Sequence, residues 1–304
     1  MKKSRFKVIW AVCLCCAFTL VLLDAFVIPH GTIAVVKAEE TAEETAQASA
    51  ETESATVNGE YTQTGYSSDD IQISYTTQRV DDTTVYVVDV QVSDPSLLKT
   101  AFADDTYGRN VKETTSDIAE ANDAILAING DYYGFRDNGY VIRNGVLYRS
   151  EGSGNEDLVI DAEGNFSLIN EDDISAQELL EQGAVQVFSF GPGLVNDGEI
   201  CVSENEEVAQ SMTSNPRTAI GMVEPGHYIL VVSEGRTDDS EGLTLYQLAQ
   251  VMKDNGCSVA YNLDGGGSST LWFNGQVINQ TVGGRGSSER KVSDIVYVSE
   301  SSDV

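Results

Sequence analysis

The chain has 304 residues, with 18 Lys and Arg against 48 Asp and Glu, a formal net charge of −30. That length suits one large domain or two small ones, and the charge excludes nucleic-acid binding through phosphates, which needs a positive footprint. Only two histidines are present, so a metal centre built from several histidines is excluded as well.

The N-terminus, Met1-Lys2-Lys3-Ser4-Arg5-Phe6-Lys7, precedes an apolar run from Val8 to Leu23. Basic residues followed by such a run describe an export signal. Val36-Lys37-Ala38 fits a small-residue cleavage pattern, which makes residues 1–38 a signal peptide. The alternative is an uncleaved anchor. Residues 8–28 are nearly long enough to span a bilayer, although Asp24 interrupts them, and they are the only expected membrane contact. Either way the folded part is expected outside the cell or in its envelope. Residues 1–38 carry a net +4, from Lys2, Lys3, Arg5, Lys7 and Lys37 against Asp24, so −30 less +4 leaves −34 for the remainder. Such a charge favours solubility. It would also repel an anionic envelope polymer unless the binding pocket is locally basic.

Of five cysteines, only Cys201 and Cys257 lie beyond the leader. They could form one disulfide in an exported protein, or Cys257 could be a small core residue. Residues 39–60 hold seven Glu, no basic residue and little apolar side chain, which predicts a disordered spacer. The folded domain is expected over 61–304.

Within it, residues 84–92 read as a strand rich in Val and Tyr. Residues 116–121 read as a short helix, and 124–128 as a strand that delivers Asn129 and Asp131. Asn144-Gly145 marks a hairpin over 140–148, and Glu163-Gly164-Asn165 a second between 158–160 and 166–169. Ser175 and Glu178 make a capping box for a helix that ends at Gly183, before a strand over 184–190. Glu224-Pro225-Gly226 joins strands 217–223 and 227–233. Thr244 and Gln247 cap a helix over 245–255, which leads into a buried strand over 257–261. Asn274-Gly275 marks a fourth hairpin, and 295–298 a closing strand. The pattern predicts an α+β fold: a single domain with a mixed, largely antiparallel sheet and a few helices.

The most informative stretch is Asn262-Leu263-Asp264-Gly265-Gly266-Gly267-Ser268-Ser269-Thr270. A carboxylate at a strand end is followed by three glycines and three hydroxyls. Consecutive glycines cost backbone entropy, which suits close approach by a ligand and points to a sugar or phosphate pocket. The plainer reading is a tight loop with a capping Asp.

This stretch resembles the phosphodiester glycosidase family. So do Ile128-Asn129-Gly130-Asp131-Tyr132-Tyr133, Tyr140-Val141-Ile142-Arg143-Asn144-Gly145, Pro216-Arg217-Thr218-Ala219-Ile220-Gly221 and Glu289-Arg290-Lys291-Val292-Ser293-Asp294, in the family's order over residues 122–298. The resemblance implies hydrolysis of a sugar-1-phosphate phosphodiester, N-acetylglucosamine-1-phosphodiester-like, to free sugar and phosphate monoester. Its implied partner is a phosphorylated glycan or envelope polysaccharide. The alternative is a non-catalytic protein that binds envelope glycan or exopolysaccharide during assembly, for which Tyr132, Tyr133, Phe135 and Tyr140 could line a cleft.

The residues are compatible with that chemistry. A Ser-His-Asp apparatus would need His227, which sits on an alternating strand, so Ser268 and Ser269 read as hydrogen-bonding groups. Carboxylates flanking an oxocarbenium-like transition state are the expected kit. Asp264 is the first catalytic candidate and Asp131 the second, since each follows a strand and an Asn; neighbouring strands would bring them together. Asp131 could instead be a turn former. Glu234 is the third candidate, standing where family relatives resemble Asp-Gly-Arg. Arg217 is the candidate phosphate fork, or else a structural ion pair. The amides of Gly265, Gly266 and Gly267 could act as a nest for phosphate. Asn129, Asn262, Ser268, Ser269, Thr270 and Arg290 complete the expected substrate contacts, with Asp294 read as structural. No cofactor is required, and a divalent cation in the pocket is left open.

Overall fold

The computed structural model of the protein describes residues 32–34, 59–205, 214–283 and 288–300. Every strand pairing among them is antiparallel. With helices at Thr115–Ala121, Ala176–Glu181 and Leu245–Asp254, the fold is α+β.

A nine-stranded sheet forms the base. Its centre runs Val259–Asn262, Arg217–Glu224, His227–Ser233, Thr83–Val92 and Ile71–Val80. Alternation decides which face each residue covers. Val87, Ile229 and Val231 turn to one face and meet Leu248, Val251 and Met252 of the Leu245–Asp254 helix. Val88, Val90, Leu230 and Val232 turn to the other. There they pack against two five-stranded sheets, through Leu126, Ile128 and Val296 of one and Leu158, Ile160 and Phe188 of the other. The outer face of the first small sheet is covered by Ile118 and Ala119 of the Thr115–Ala121 helix. That of the second is covered by Leu179 of the Ala176–Glu181 helix. Three sheets therefore share one core, and their edges converge on a common junction.

Local signals set several elements. The boxes at Ser175/Glu178 and Thr244/Gln247 both form, each side chain closing onto the other's backbone N–H. Asn144 and Gly145 both take positive φ, as the hairpin turn requires. His227 is a half-buried strand residue 3.0 Å from Asp89, at the end of its strand remote from Glu234. Cys201 and Cys257 do not form a disulfide with each other; Cys201 is exposed and Cys257 is buried.

Residues 1–31, with the apolar run, and most of the acidic spacer lie outside the described residues. Thr32–Ala34 pairs with Thr106–Gly108. At the spacer's end Glu60 belongs to a strand, Glu60–Tyr61, paired with Gly65–Ser67. Among the described residues no helix is long and apolar enough to cross a membrane.

Candidate functional site

At the three-sheet junction the site begins with Asn129, which ends Leu126–Asn129 and is fully buried. Its Nδ2 donates to the carbonyls of Asp264 at 2.7 Å and Gly130 at 3.1 Å. Its Oδ1 accepts from the Thr218 hydroxyl at 2.9 Å and the Thr270 amide at 3.2 Å. All four bonds an amide side chain can make are used. Asn129 is therefore a clamp joining the small sheet to the glycine loop, and the expected substrate contact is corrected. The same clamp brings Asp131 and Asp264 together. Their strands are not neighbours as expected, since they belong to different sheets. Their ends meet instead, the Asp264 amide donating to the Gly130 carbonyl at 3.3 Å.

Asp264 carries the loop's chemistry. It is 9% exposed and accepts from the Ser268 hydroxyl at 2.6 Å. Burial raises its pKa to about 6; Ser268 and the nearby Arg290 charge pull downward, and the Asp131 charge adds to the rise. The three glycines have distinct structural reasons. A Cβ at Gly265 would stand 2.8 Å from the Pro216 carbonyl oxygen, and one at Gly267 would stand 2.9 Å from the Gly283 Cα. Gly266 has φ +61. The Gly266 amide donates to the Pro216 carbonyl at 2.8 Å, and the Gly265 amide serves the Asp264 carboxylate.

Two guanidiniums flank the glycine loop. Nη2 of Arg236 lies 3.0 Å from where a Gly266 Cβ would be, and Arg290 Cδ lies 3.3 Å from where a Gly267 Cβ would be. Arg236 is fixed by a fork onto Asn215 Oδ1, at 2.6 and 3.0 Å. That partner is neutral, so the arginine's charge is retained. Arg290 lies over the Tyr132 ring, 5.7 Å from its centroid.

Arg217 is buried at the start of its strand. Thr218 reaches Asn129 on one face of the sheet, while the Arg217 Nε donates to the Leu243 carbonyl at 3.0 Å. Adjacent strand residues face opposite ways, so Arg217 secures the loop ahead of the Leu245–Asp254 helix. Sequence alone did not assign Arg236 a role; its signal was the Glu234-Gly235-Arg236 turn at a strand end.

Asp131 reaches the junction but is committed inward. Its Oδ1 accepts from the Tyr133 amide at 2.9 Å, and its Oδ2 from Arg143 at 3.0 Å and the Ser189 amide at 3.2 Å. Arg143 also grips Asp294 through Nε at 2.9 Å and Nη2 at 2.8 Å. Arg143 and both carboxylates are at most 1% exposed at their side chains. Two carboxylates on one buried guanidinium cannot both be neutralised by it. Burial accordingly pushes Asp294 up to about 8, the Arg143 charge opposing and the Asp131 charge reinforcing the rise. Asp131 thus makes its contacts inward, to Arg143 and to the amides of Tyr133 and Ser189.

Glu234 is likewise committed. It accepts from Tyr86 Oη at 3.0 Å, the Gln280 amide at 2.9 Å and the Ser240 hydroxyl at 3.2 Å, and is 7% exposed. Through the Gln280 amide it holds the 280 segment. Asn262 donates to the Gly191 carbonyl at 2.7 Å, and Thr270 Oγ1 to the Ser268 carbonyl at 3.0 Å. Both are buried and serve the loop. Ser269 is 2% exposed, its hydroxyl unpartnered among the described residues. The described residues hold no cluster of three or more His, Cys, Asp or Glu side chains fit to bind a metal.

A family model described as phosphodiester glycosidase matches residues 122–299. An uncharacterized SPbeta prophage-derived protein of Bacillus subtilis is 31% identical over 201 residues, covering 64% of this chain and 30% of that protein. The N-acetylglucosamine-1-phosphodiester alpha-N-acetylglucosaminidase of Mus musculus is 28% identical over 182 residues, covering 54% of this chain and 34% of the enzyme. The matches thus span about a third of these relatives. The zebrafish enzyme's catalytic domain, solved in a form auto-inhibited by its pro-peptide, superposes with a TM-score of 0.60 at 24% identity, covering 90% of this chain and 89% of that one.

Proposed function

The chain belongs to the phosphodiester glycosidase family, and from that premise we propose that it is an exported hydrolase. It cleaves the bond between a sugar, N-acetylglucosamine-like, and the phosphate of a phosphodiester in a phosphorylated glycan. Export rests on the basic and apolar N-terminus, and the sugar class on the relatives' activity. The observation that carries the reading is the pairing of one poised carboxyl, Asp264, with two arginines on a single glycine loop.

In this reading Arg236 and Arg290 hold the phosphate, whose leaving oxygen needs charge stabilisation more than protonation. Asp264, ionised, takes a proton from the attacking water. The water oxygen bonds to the sugar's anomeric carbon, and the bond from that carbon to the phosphate oxygen breaks. The electron pair leaves with the phosphate monoester. Asp131, Arg143 and Asp294 touch no reacting atom; they fix the junction and place a negative charge beside Asp264.

A pH profile tests the role of Asp264. With a pKa near 6, kcat/KM should rise about tenfold per unit below pH 6 and level off above it. Stability should move the other way. Folding raises this carboxyl above its ordinary value, so its contribution is full below about pH 4 and is lost as pH rises through about 6. A rate that instead falls above pH 6 would make Asp264 the general acid and remove the base assignment.

A further inference from the structure

The cations around this site are held in an unusual way for so acidic a chain. Lys112 Nζ lies 5.4 Å from the centroid of Phe135, which stacks on Tyr132 at 4.6 Å and 16°. Arg136 lies 5.9 Å from the Tyr132 centroid and 5.1 Å from that of Phe190, and Arg290 covers Tyr132 in turn. Lys112 is exposed and the other five side chains are partly exposed. The backbone brings the segments together through the Glu113–Val292 bridge.

Each of these three cations has a carboxylate beside it in sequence, and each such carboxylate is engaged elsewhere. Glu113, next to Lys112, accepts the Asp104 amide at 2.7 Å. Asp137, next to Arg136, pairs with Arg109 at 2.6 Å. Glu289, next to Arg290, accepts the Ser116 hydroxyl at 2.5 Å and amide at 3.2 Å. Among the described residues, Lys112, Arg136 and Arg290 have no salt-bridge partner. An aromatic face attracts a cation without cancelling its charge. A carboxylate would cancel it. Arg290 also acts on the Asp264 carboxyl, whose pKa its charge lowers, so the ladder leaves the Arg136 and Lys112 charges beyond the glycine loop without a carboxylate partner among the described residues, a local reversal of the −34 carried by the chain beyond residue 38.

We propose that this ladder is a second anion subsite, running from the glycine loop along Tyr132 and Phe135 to Lys112. It takes a further phosphate on the acceptor side of the scissile phosphodiester. The preferred substrate is then a glycan in which phosphate recurs beyond the cleaved linkage. The inference rests on the hydrolase reading only for the position of the scissile bond. It goes beyond that reading by specifying what lies past it. One phosphate is met by Arg236 and Arg290, and the next by Arg136 and Lys112, with the stacked rings as the floor between them.

The test compares two synthetic probes on the intact protein. One is the methyl phosphodiester of N-acetylglucosamine-1-phosphate; the other carries glycerol phosphate in place of methyl and so a second phosphate. Binding by titration calorimetry and turnover are both measured. The second probe should bind about tenfold tighter, with a steeper salt dependence. Lys112→Gln should remove about three- to tenfold of that advantage and leave the methyl probe unchanged. Phe135→Leu, which removes the platform under Lys112, should act the same way. Equal affinity of the wild-type protein for both probes would overturn the subsite, as would a Lys112→Gln variant that weakens both equally. Turnover of both probes with one KM would sink the subsite and leave the hydrolase. Selective binding of the second probe without turnover would keep the subsite and sink the hydrolase.

Discussion

Asp264→Asn should lower turnover of a sugar-1-phosphodiester by at least about a hundredfold, the usual scale of acid–base catalysis. The substitution keeps the shape of the side chain and an acceptor for the Ser268 hydroxyl, now 2.6 Å from Asp264 Oδ2. It removes the charge and the basicity. The fold should not suffer, because the wild-type carboxyl is held above its ordinary pKa mainly by burial. At pH 7 the wild-type protein keeps this group ionised against that burial, and the neutral Asn does not. The variant's melting temperature at pH 7 should therefore equal or exceed that of the wild type. A folded Asp264→Asn protein with full activity would remove this residue from the mechanism.

Arg143→Met should cost about 3–5 kcal/mol of stability, the scale for breaking a buried ion pair by deleting one partner. The guanidinium is the shared counter-charge of Asp131 and Asp294, at 3.0 and 2.8 Å, and also donates to the backbone carbonyls of Ile142 and Val187. Without it two carboxyls remain buried beside each other. Chemical denaturation at pH 7 would read the loss. Adding Asp131→Asn and Asp294→Asn to the Met variant should restore most of it, because the uncompensated charges go with them. A single Arg143→Met variant as stable as wild type would show that the triad does not hold the junction.

The parts of this molecule that were legible in the sequence are those set by neighbours along the chain. The box at Thr244 and Gln247, the Asn144-Gly145 turn and the alternation of residues 227–233 each specify their element within a few positions. Leu98–Phe102 was not legible. Lys99 and Thr100 break its apolar pattern, yet both are buried, and the strand exists because it pairs with Asp294–Val298 nearly two hundred residues later. The site divides the same way. Asp264 and its glycines stand out because a strand end, a carboxylate and the loop are contiguous. The close packing of Gly265 against Pro216 and of Gly267 against Gly283 is tertiary and has no local signal. The role of Arg143 is equally silent in the sequence, since its partners lie 12 and 151 positions away. Arg217 stands out in the sequence as a guanidinium at the start of a strand, whereas nothing local fixes Arg236. The fork onto Asn215 that fixes Arg236 is a tertiary contact.

In the proposed reaction the bond cleaved joins the sugar carbon to the phosphate oxygen. Hydrolysis of the methyl phosphodiester of N-acetylglucosamine-1-phosphate in heavy-oxygen water tests it directly. Mass spectrometry of the products should place the label in the sugar hydroxyl and leave methyl phosphate unlabelled. Label in the phosphate would mean attack at phosphorus and a phosphodiesterase. Binding of the diester with no hydrolysis would mean a glycan-binding protein.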